Sequence, residues 1–222
     1  MTLLHPPYTA WHLSYVAFGA AAAPVLHAGR LVAALGAFAL AVGVAAHALD
    51  ELNGRPLQTR CGDTTLIALT AVALTGAVVI GAVGAVTVSA WLVPLVVAGA
   101  FIVCAYNLEL AGGRFHSDLW FALSWGAFPA FTGYFVNSLQ VRPTGLLVAA
   151  ACALLSVAQR RLSSPVRELR RRTAQLTGEQ VLADGEVREL DARSVAAPLE
   201  GALRALWPAL VLLAAALVAV RL

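Results

Sequence analysis

The sequence predicts an all-α, polytopic transmembrane helical bundle of about seven spans, and three observations carry that expectation. First, 60% of the residues are hydrophobic and only 12% charged, with a mean hydropathy of +0.79, whereas a soluble domain has roughly a quarter of its residues charged. Second, apolar runs recur at close to the ~20 residues that a helix needs to cross hydrocarbon. Third, these runs are rich in Ala and Leu and lack the period-two alternation of a barrel strand, and lipid obliges each segment to satisfy its backbone groups internally.

Spans are expected at 8–26, 31–49, 65–83, 91–110, 119–136, 146–156 and 203–220, the sixth being the shortest. Residues 1–158 then form a six-helix unit, 159–202 an arginine-rich connection, and 203–222 a terminal transmembrane helix. Ala73, Ala77, Gly81 and Ala85 recur every fourth position on the third span, a flat stripe on which a neighbouring helix can approach closely. Trp91, Trp120, Trp125 and Trp207 fall near span ends, where indoles favour the membrane interface. In the connection, Ser163-Ser164-Pro165 reads as the start of a separate cytoplasmic helix running to about Leu176 and ended by Thr177-Gly178. Asp184-Gly185 between short apolar stretches reads as a hairpin turn.

Arginine sets the expected topology. The connection holds Arg160, Arg161, Arg167, Arg170, Arg171, Arg172, Arg188 and Arg193, while the loops around Ser89 and Arg142 are nearly free of charge, so the connection is expected in the cytoplasm. The loops after the second, fourth and sixth spans share that face, and the amino terminus joins them. No basic region precedes the first apolar stretch, so no signal peptide is expected. Cys61, Cys104 and Cys152 are isolated and suggest neither disulfides nor a zinc ribbon. The pI near 9.1 is accounted for by topology and by contact of the arginine-rich segment with anionic headgroups, not by nucleic acid. The chain contains no lysine, which excludes a retinal Schiff base. Polar repeats of a channel pore and inverted transporter repeats are also missing.

Two polar islands interrupt this apolar pattern: Ala46-His47-Ala48-Leu49-Asp50-Glu51-Leu52-Asn53-Gly54-Arg55-Pro56-Leu57, and Tyr106-Asn107-Leu108-Glu109 through His116-Ser117-Asp118. Carboxylates beside hydrocarbon must pair, snorkel or bind a cation, so both islands are candidate sites. His47, Asp50 and Glu51 stand three and four positions apart and project to one side of a continuing helix, where they can hold a metal or simply pair with Arg55 and a neighbouring helix. Oxygen-only ligands suit magnesium; mixed imidazole and carboxylate ligands suit iron or zinc. Gly112-Gly113 breaks the helix after Glu109, and Ser117 or Asp118 is placed to cap the next.

The acidic patch followed by Asn53-Gly54-Arg55-Pro56-Leu57, the tyrosine-led second island, and the run Leu123-Ser124-Trp125-Gly126-Ala127-Phe128-Pro129 with Gly133-Tyr134-Phe135-Val136 resemble the UbiA superfamily of intramembrane prenyltransferases. The resemblance covers roughly residues 33–136. It implies a cytoplasmic-facing cavity in which Asp50, Asn53 and Arg55 meet magnesium and a prenyl diphosphate, with Tyr106, Asn107 and Glu109 lining the same cavity. The family's second aspartate motif is replaced after the sixth span by Gln159-Arg160-Arg161-Leu162-Ser163-Ser164, and the chain has about two spans fewer than the family.

Three functions follow. In a UbiA-like enzyme acting on a lipid or prenyl diphosphate, Asp50, Glu51 and Glu109 are the candidate catalytic residues and Asn53, Arg55, Tyr106 and Asn107 the substrate-binding ones, with a divalent cation, magnesium, as cofactor. In a metal-dependent membrane enzyme, His47, Asp50, Glu51, His116 and Asp118 hold iron or zinc. In a membrane subunit or carrier without catalysis, the islands pair with each other. The expected partner in the first case is a membrane lipid or isoprenoid.

Overall fold

A computed structural model describes residues 3–222 and shows a bundle of antiparallel helices with one small hairpin. The helices are α1 Pro6–Ala22, α2 Ala28–Leu52, α3 Asp63–Thr87, α4 Ala90–Asn107, α5 over 118–138, α6 Pro143–Arg171 and α7 Ala192–Ala219. Strands β1 Thr177–Val181 and β2 Val187–Asp191 pair antiparallel between α6 and α7. Among the described residues, five helices are long and apolar enough to cross a membrane: α2, α3, α4, α6 and α7. The remaining two, α1 and α5, are the most enclosed. They carry the buried polar residues His12, Ser14, Ser124, Thr132 and Asn137, which neighbouring helices shield from lipid.

Local sequence explains most boundaries. Pro6 and Pro7 open α1, where missing N–H groups do no harm, and His5 Nδ1 accepts the Tyr8 N–H at 3.2 Å. Asp191 starts α7 with a reciprocal cap: its Oδ1 accepts the Ser194 N–H at 2.6 Å while its own N–H donates to Ser194 Oγ at 2.8 Å. The bond from the Ser194 N–H holds the Asp191 carboxyl below its usual range. The expected hairpin is present, its turn closed by Gly185 at φ +89° and by the Leu182 N–H to Glu186 O bond at 2.8 Å.

The sixth helix differs from expectation. It is not a short span followed by a separate helix beginning at Ser163; it runs unbroken through Pro165 to Arg171, and Thr177-Gly178 opens β1. Ser163 Oγ turns back to Arg160 O at 3.4 Å, as a hydroxyl does inside a helix, and caps no N–H group. Continuity puts Arg160 and Arg167 two turns apart on one face.

The helix packing forms three linked clusters. One joins α2, α3, α4 and α5 through Val42, Leu49, Ala73, Val103, Tyr106 and Trp125. Another joins α1, α5, α6 and α7 through Trp11, Tyr15, Ala130, Cys152 and Leu210, and a third seats α1 on α2 through Val16, Ala20, Leu31 and Ala34. Trp125 is 3% exposed, a core residue and not an interfacial one, because a π turn at Leu123–Ala127 turns it inward. The α1–α5 crossing depends on glycine. A Cβ at Gly19 would lie 1.9 Å from Ala130 O, and one at Gly133 2.1 Å from Val16 O, so the two backbones touch where any side chain would stand.

The two ends of the bundle differ in charge. Every one of the 12 acidic side chains lies on the end that carries both islands and the hairpin. Among the described residues, the charged side chains of the opposite end are Arg30, Arg142 and Arg221, and these match the formal excess of +3. Arg221 ties the carboxyl-terminal turn to that end by donating to Ala23 O at 2.8 Å and Pro24 O at 2.7 Å.

Gly133→Leu should unseat α1 from α5, costing about 1–3 kcal/mol or more by overpacking and lowering the unfolding midpoint by several degrees in detergent. Gly201→Ala, where an added Cβ meets nothing within 4 Å, should leave the midpoint unchanged. Fluorescence-detected thermal unfolding of the two variants checks both.

Candidate functional site

The islands meet at the end of the bundle beneath α6. Asn107 is buried at the end of α4; its amide donates to Val103 O at 2.7 Å. Its carbonyl accepts from Asn53 Nδ2 at 3.0 Å, which joins the two islands directly. Tyr106 stacks on His116 with ring centroids 4.5 Å apart. His116 Nδ1 lies 3.1 Å from Tyr106 O, so a proton there is donated to the carbonyl, and Glu109 Oε1 stands 3.8 Å from the same nitrogen. Asp50, half-buried at the end of α2, lies within electrostatic reach of His116, Arg167 and Glu109.

Arg160 closes this arrangement from above. Its Nη1 donates to Tyr106 Oη at 2.6 Å, its Nε faces Asp118 Oδ1 at 2.5 Å, and its guanidinium carbon sits 4.9 Å from the Phe121 ring centroid, a cation–π contact. Further along α6, Arg171 Nη1 donates to Pro56 O at 3.2 Å and fastens the first island from outside. Ser117, not Asp118, caps α5, its Oγ accepting the Trp120 N–H at 3.3 Å, which leaves Asp118 for Arg160.

Not every predicted residue faces this point. Glu51 is fully buried, and both of its oxygens are engaged by its own loop: Oε2 accepts the Leu57 N–H at 2.9 Å, and Oε1 accepts the Thr59 N–H at 2.6 Å and the Thr59 hydroxyl at 2.9 Å. Arg55 pairs with Asp63 at the start of α3 and donates to Cys61 O at 2.6 Å. Both side chains shape the loop. His47 packs against Tyr8 of α1, centroids 5.6 Å apart. Among the described residues no three His, Cys, Asp or Glu side chains are grouped so as to hold a metal ion.

Sequence reasoning missed α1 as a contributor. Tyr8 and His12, one helical turn apart, meet edge to face with centroids 4.3 Å apart and face the α2 and α5 side of the site. His12 is 1% exposed; its Nδ1 lies 2.6 Å from Trp125 O, while His12 Nε2, His47 Nε2 and Trp125 Nε1 are buried without a hydrogen-bond partner. The signal was available: an ionisable residue four positions after a tyrosine inside an apolar helix. Backbone strain was not legible. Four non-glycine residues with left-handed φ lie in the island loops, Arg55 at +52°, Gln58 at +50°, Glu109 at +51° and Ala111 at +55°.

A cavity of about 550 Å³ lies on the other side of the packed cluster. It runs among α2, α3, α4 and α5, from Arg30 to Val42, Val103 and Trp125. Ala77 and Gly81, two members of the small-residue stripe on α3, line it; Gly81 also approaches α4 so closely that a Cβ would lie 2.5 Å from Val96 Cγ2.

Comparison of the chain with protein-family models, with curated proteins and with solved structures finds no match.

Glu51→Ala should remove three hydrogen bonds and orphan two loop N–H groups, destabilising the loop by about 2–3 kcal/mol. Trypsin should then cut after Arg60, which is exposed, much faster than in the wild type, as timed by limited proteolysis.

Proposed function

We propose that the protein is a UbiA-like membrane enzyme whose island site takes the diphosphate head of an isoprenoid or lipid diphosphate. The observation that carries this reading is the placement of Arg160 of α6 against Tyr106 and Asp118 of the second island, with His116 stacked on Tyr106, Asn53 of the first island bonded to Asn107 beside them, and Arg167 two turns along the same face of α6. Guanidinium groups recognise diphosphate oxygens through paired, charge-assisted hydrogen bonds. Asp118, an exposed partner of Arg160, is the group that a diphosphate would displace. The packed floor of Leu49, Tyr106, Phe121 and Trp125 would keep water from a reacting carbon beneath the head group.

Magnesium fits this site in one way. Glu51 is engaged by its loop, Glu109 stands beside His116, and Asp118 faces Arg160, so Asp50 is the carboxylate left to hold the ion together with the substrate's phosphate oxygens, an arrangement magnesium commonly adopts. When bound, the ion supplies charge neutralisation to the departing diphosphate. An iron or zinc centre would need the imidazoles and carboxylates to regroup, since among the described residues none of them form a ready-made set. Asp50, Arg160, Arg167 and His116 would hold and orient the head group, and Tyr106 would position Arg160.

Calorimetric titration of geranylgeranyl diphosphate, with and without magnesium, tests the reading. The wild type should bind only with magnesium. Asp50→Asn should fold normally and lose the magnesium-dependent binding, and Arg160→Gln should weaken binding about tenfold or more. Arg55→Ala should bind as the wild type, because Arg55 already faces Asp63. Absence of magnesium-dependent binding in the wild type would end the enzyme reading in favour of a subunit or carrier.

The 12 arginines that accompany the islands, against three at the other end, support a cytoplasmic site. In a background without Cys61, Cys104 and Cys152, a cysteine at Arg170 should react with an impermeant maleimide only from the cytoplasm and one at Ser89 only from outside.

A further inference from the structure

The cavity and the charge distribution of the far end belong together. The cavity's lining is apolar apart from Arg30, Thr87, Ser124 and Thr132, and Arg30 is its sole charged residue. Arg30 also lines a second, polar pocket at the far end with His27, Asn137, Gln140 and Arg142. Arg30 donates one hydrogen bond, from Nη1 to Val136 O at 3.2 Å, and Arg142 Nε donates to Gln140 Oε1 at 2.7 Å. Among the described residues no Asp or Glu side chain lies on this end of the bundle, so two guanidinium groups border one pocket without an acidic side chain beside them. Such a basic pocket between helices complements an anionic head group. The cavity follows α2 from Arg30 to Val42, roughly 18 Å of helix rise, which is slightly more than one leaflet of a hydrocarbon core about 30 Å thick. Its volume of about 550 Å³ is that of a ligand site and not of a packing defect.

We propose that the far end of the bundle binds an anionic phospholipid of the leaflet opposite the islands, with its phosphate on Arg30 and Arg142 and one acyl chain in the cavity among α2, α3, α4 and α5. The small residues Ala33, Ala37, Gly84 and Gly99 leave the space that the chain fills. Val42, Val103 and Trp125, at the inner end, stop it short of the island site.

Native mass spectrometry of the full chain, released from a neutral detergent after incubation with phosphatidylglycerol or with phosphatidylcholine of the same chains, tests this. The wild type should retain one phosphatidylglycerol and markedly less phosphatidylcholine. The double variant Arg30→Gln, Arg142→Gln should bind phosphatidylglycerol about tenfold or more weakly, and Arg30→Lys with Arg142→Lys should keep most of the binding. Ala37→Phe, which fills the cavity and leaves both cations in place, should also lower retention, and it decides the matter if the glutamine variant does not fold. Equal retention of the two lipids by the wild type, or unchanged phosphatidylglycerol retention in Ala37→Phe, would overturn the proposal. Binding of geranylgeranyl diphosphate at the island end should be the same in all these variants, so failure of one site leaves the other standing.

Discussion

A guanidinium at the edge of hydrocarbon must be matched by acceptors, and the island end of this bundle is built around that requirement at Arg160. One side chain of α6 reaches Tyr106 at the end of α4, Asp118 at the start of α5, and the face of Phe121 one turn further on. Three elements that are remote in sequence are thereby brought to one charge. Desolvation makes such a charge expensive to leave alone and valuable when matched, because an unpaired partner bears the full penalty. The position of α6 over the islands follows from that match, and so does the contact of Arg171, three turns further along, with Pro56 of the first island.

Much of the architecture was legible because lipid imposes simple rules. Apolar length marked the helices, alternation of loops placed the two islands on one end, and Asp184-Gly185 marked the hairpin. What remained hidden lay where tertiary packing overrides local preference. Ser163-Ser164-Pro165 carries every mark of a helix start, yet α6 passes through it, since the preceding turn is already helical and its serine finds a carbonyl within the helix. Glu51 and Asp50 are adjacent acids that sequence cannot separate. One turns into a loop whose N–H groups need acceptors; the other stays at the bundle end. Tyr8 and His12 are not marked by sequence as part of this site, because a span with few polar residues gives no sign of which neighbouring helices its polar face will meet.

The two ends use charge differently. At the island end the arginines and acids are equal in number and interleaved, so its character lies in local geometry and not in net field. At the far end a small positive excess stands without an acidic side chain and borders an apolar cavity. The cluster of Val42, Leu49, Val103, Tyr106 and Trp125 separates them. Its π turns, at Ala39–Ala46 in α2 and Leu123–Ala127 in α5, are the irregular backbone that recurs where helices serve a site.

The strained loops bear on whether the islands are positioned features or slack connections. A non-glycine residue in the left-handed region costs roughly 1–2 kcal/mol, and Arg55, Gln58, Glu109 and Ala111 all adopt it. Connections between helices that merely had to reach would relax to ordinary turns, and the far-end loops contain a single such residue, Leu139. Strain of this kind persists only when surrounding bonds over-determine the backbone. Here those bonds are identifiable: the Glu51 carboxylate gathering the Leu57 and Thr59 N–H groups, Arg55 bridging Cys61 and Asp63, Asn53 held to Asn107, and Arg171 on Pro56. A buried carboxylate and two arginines are therefore used to hold loops rigid, which places the remaining polar groups, Asp50, Tyr106, His116 and Arg160, in a fixed relation to one another.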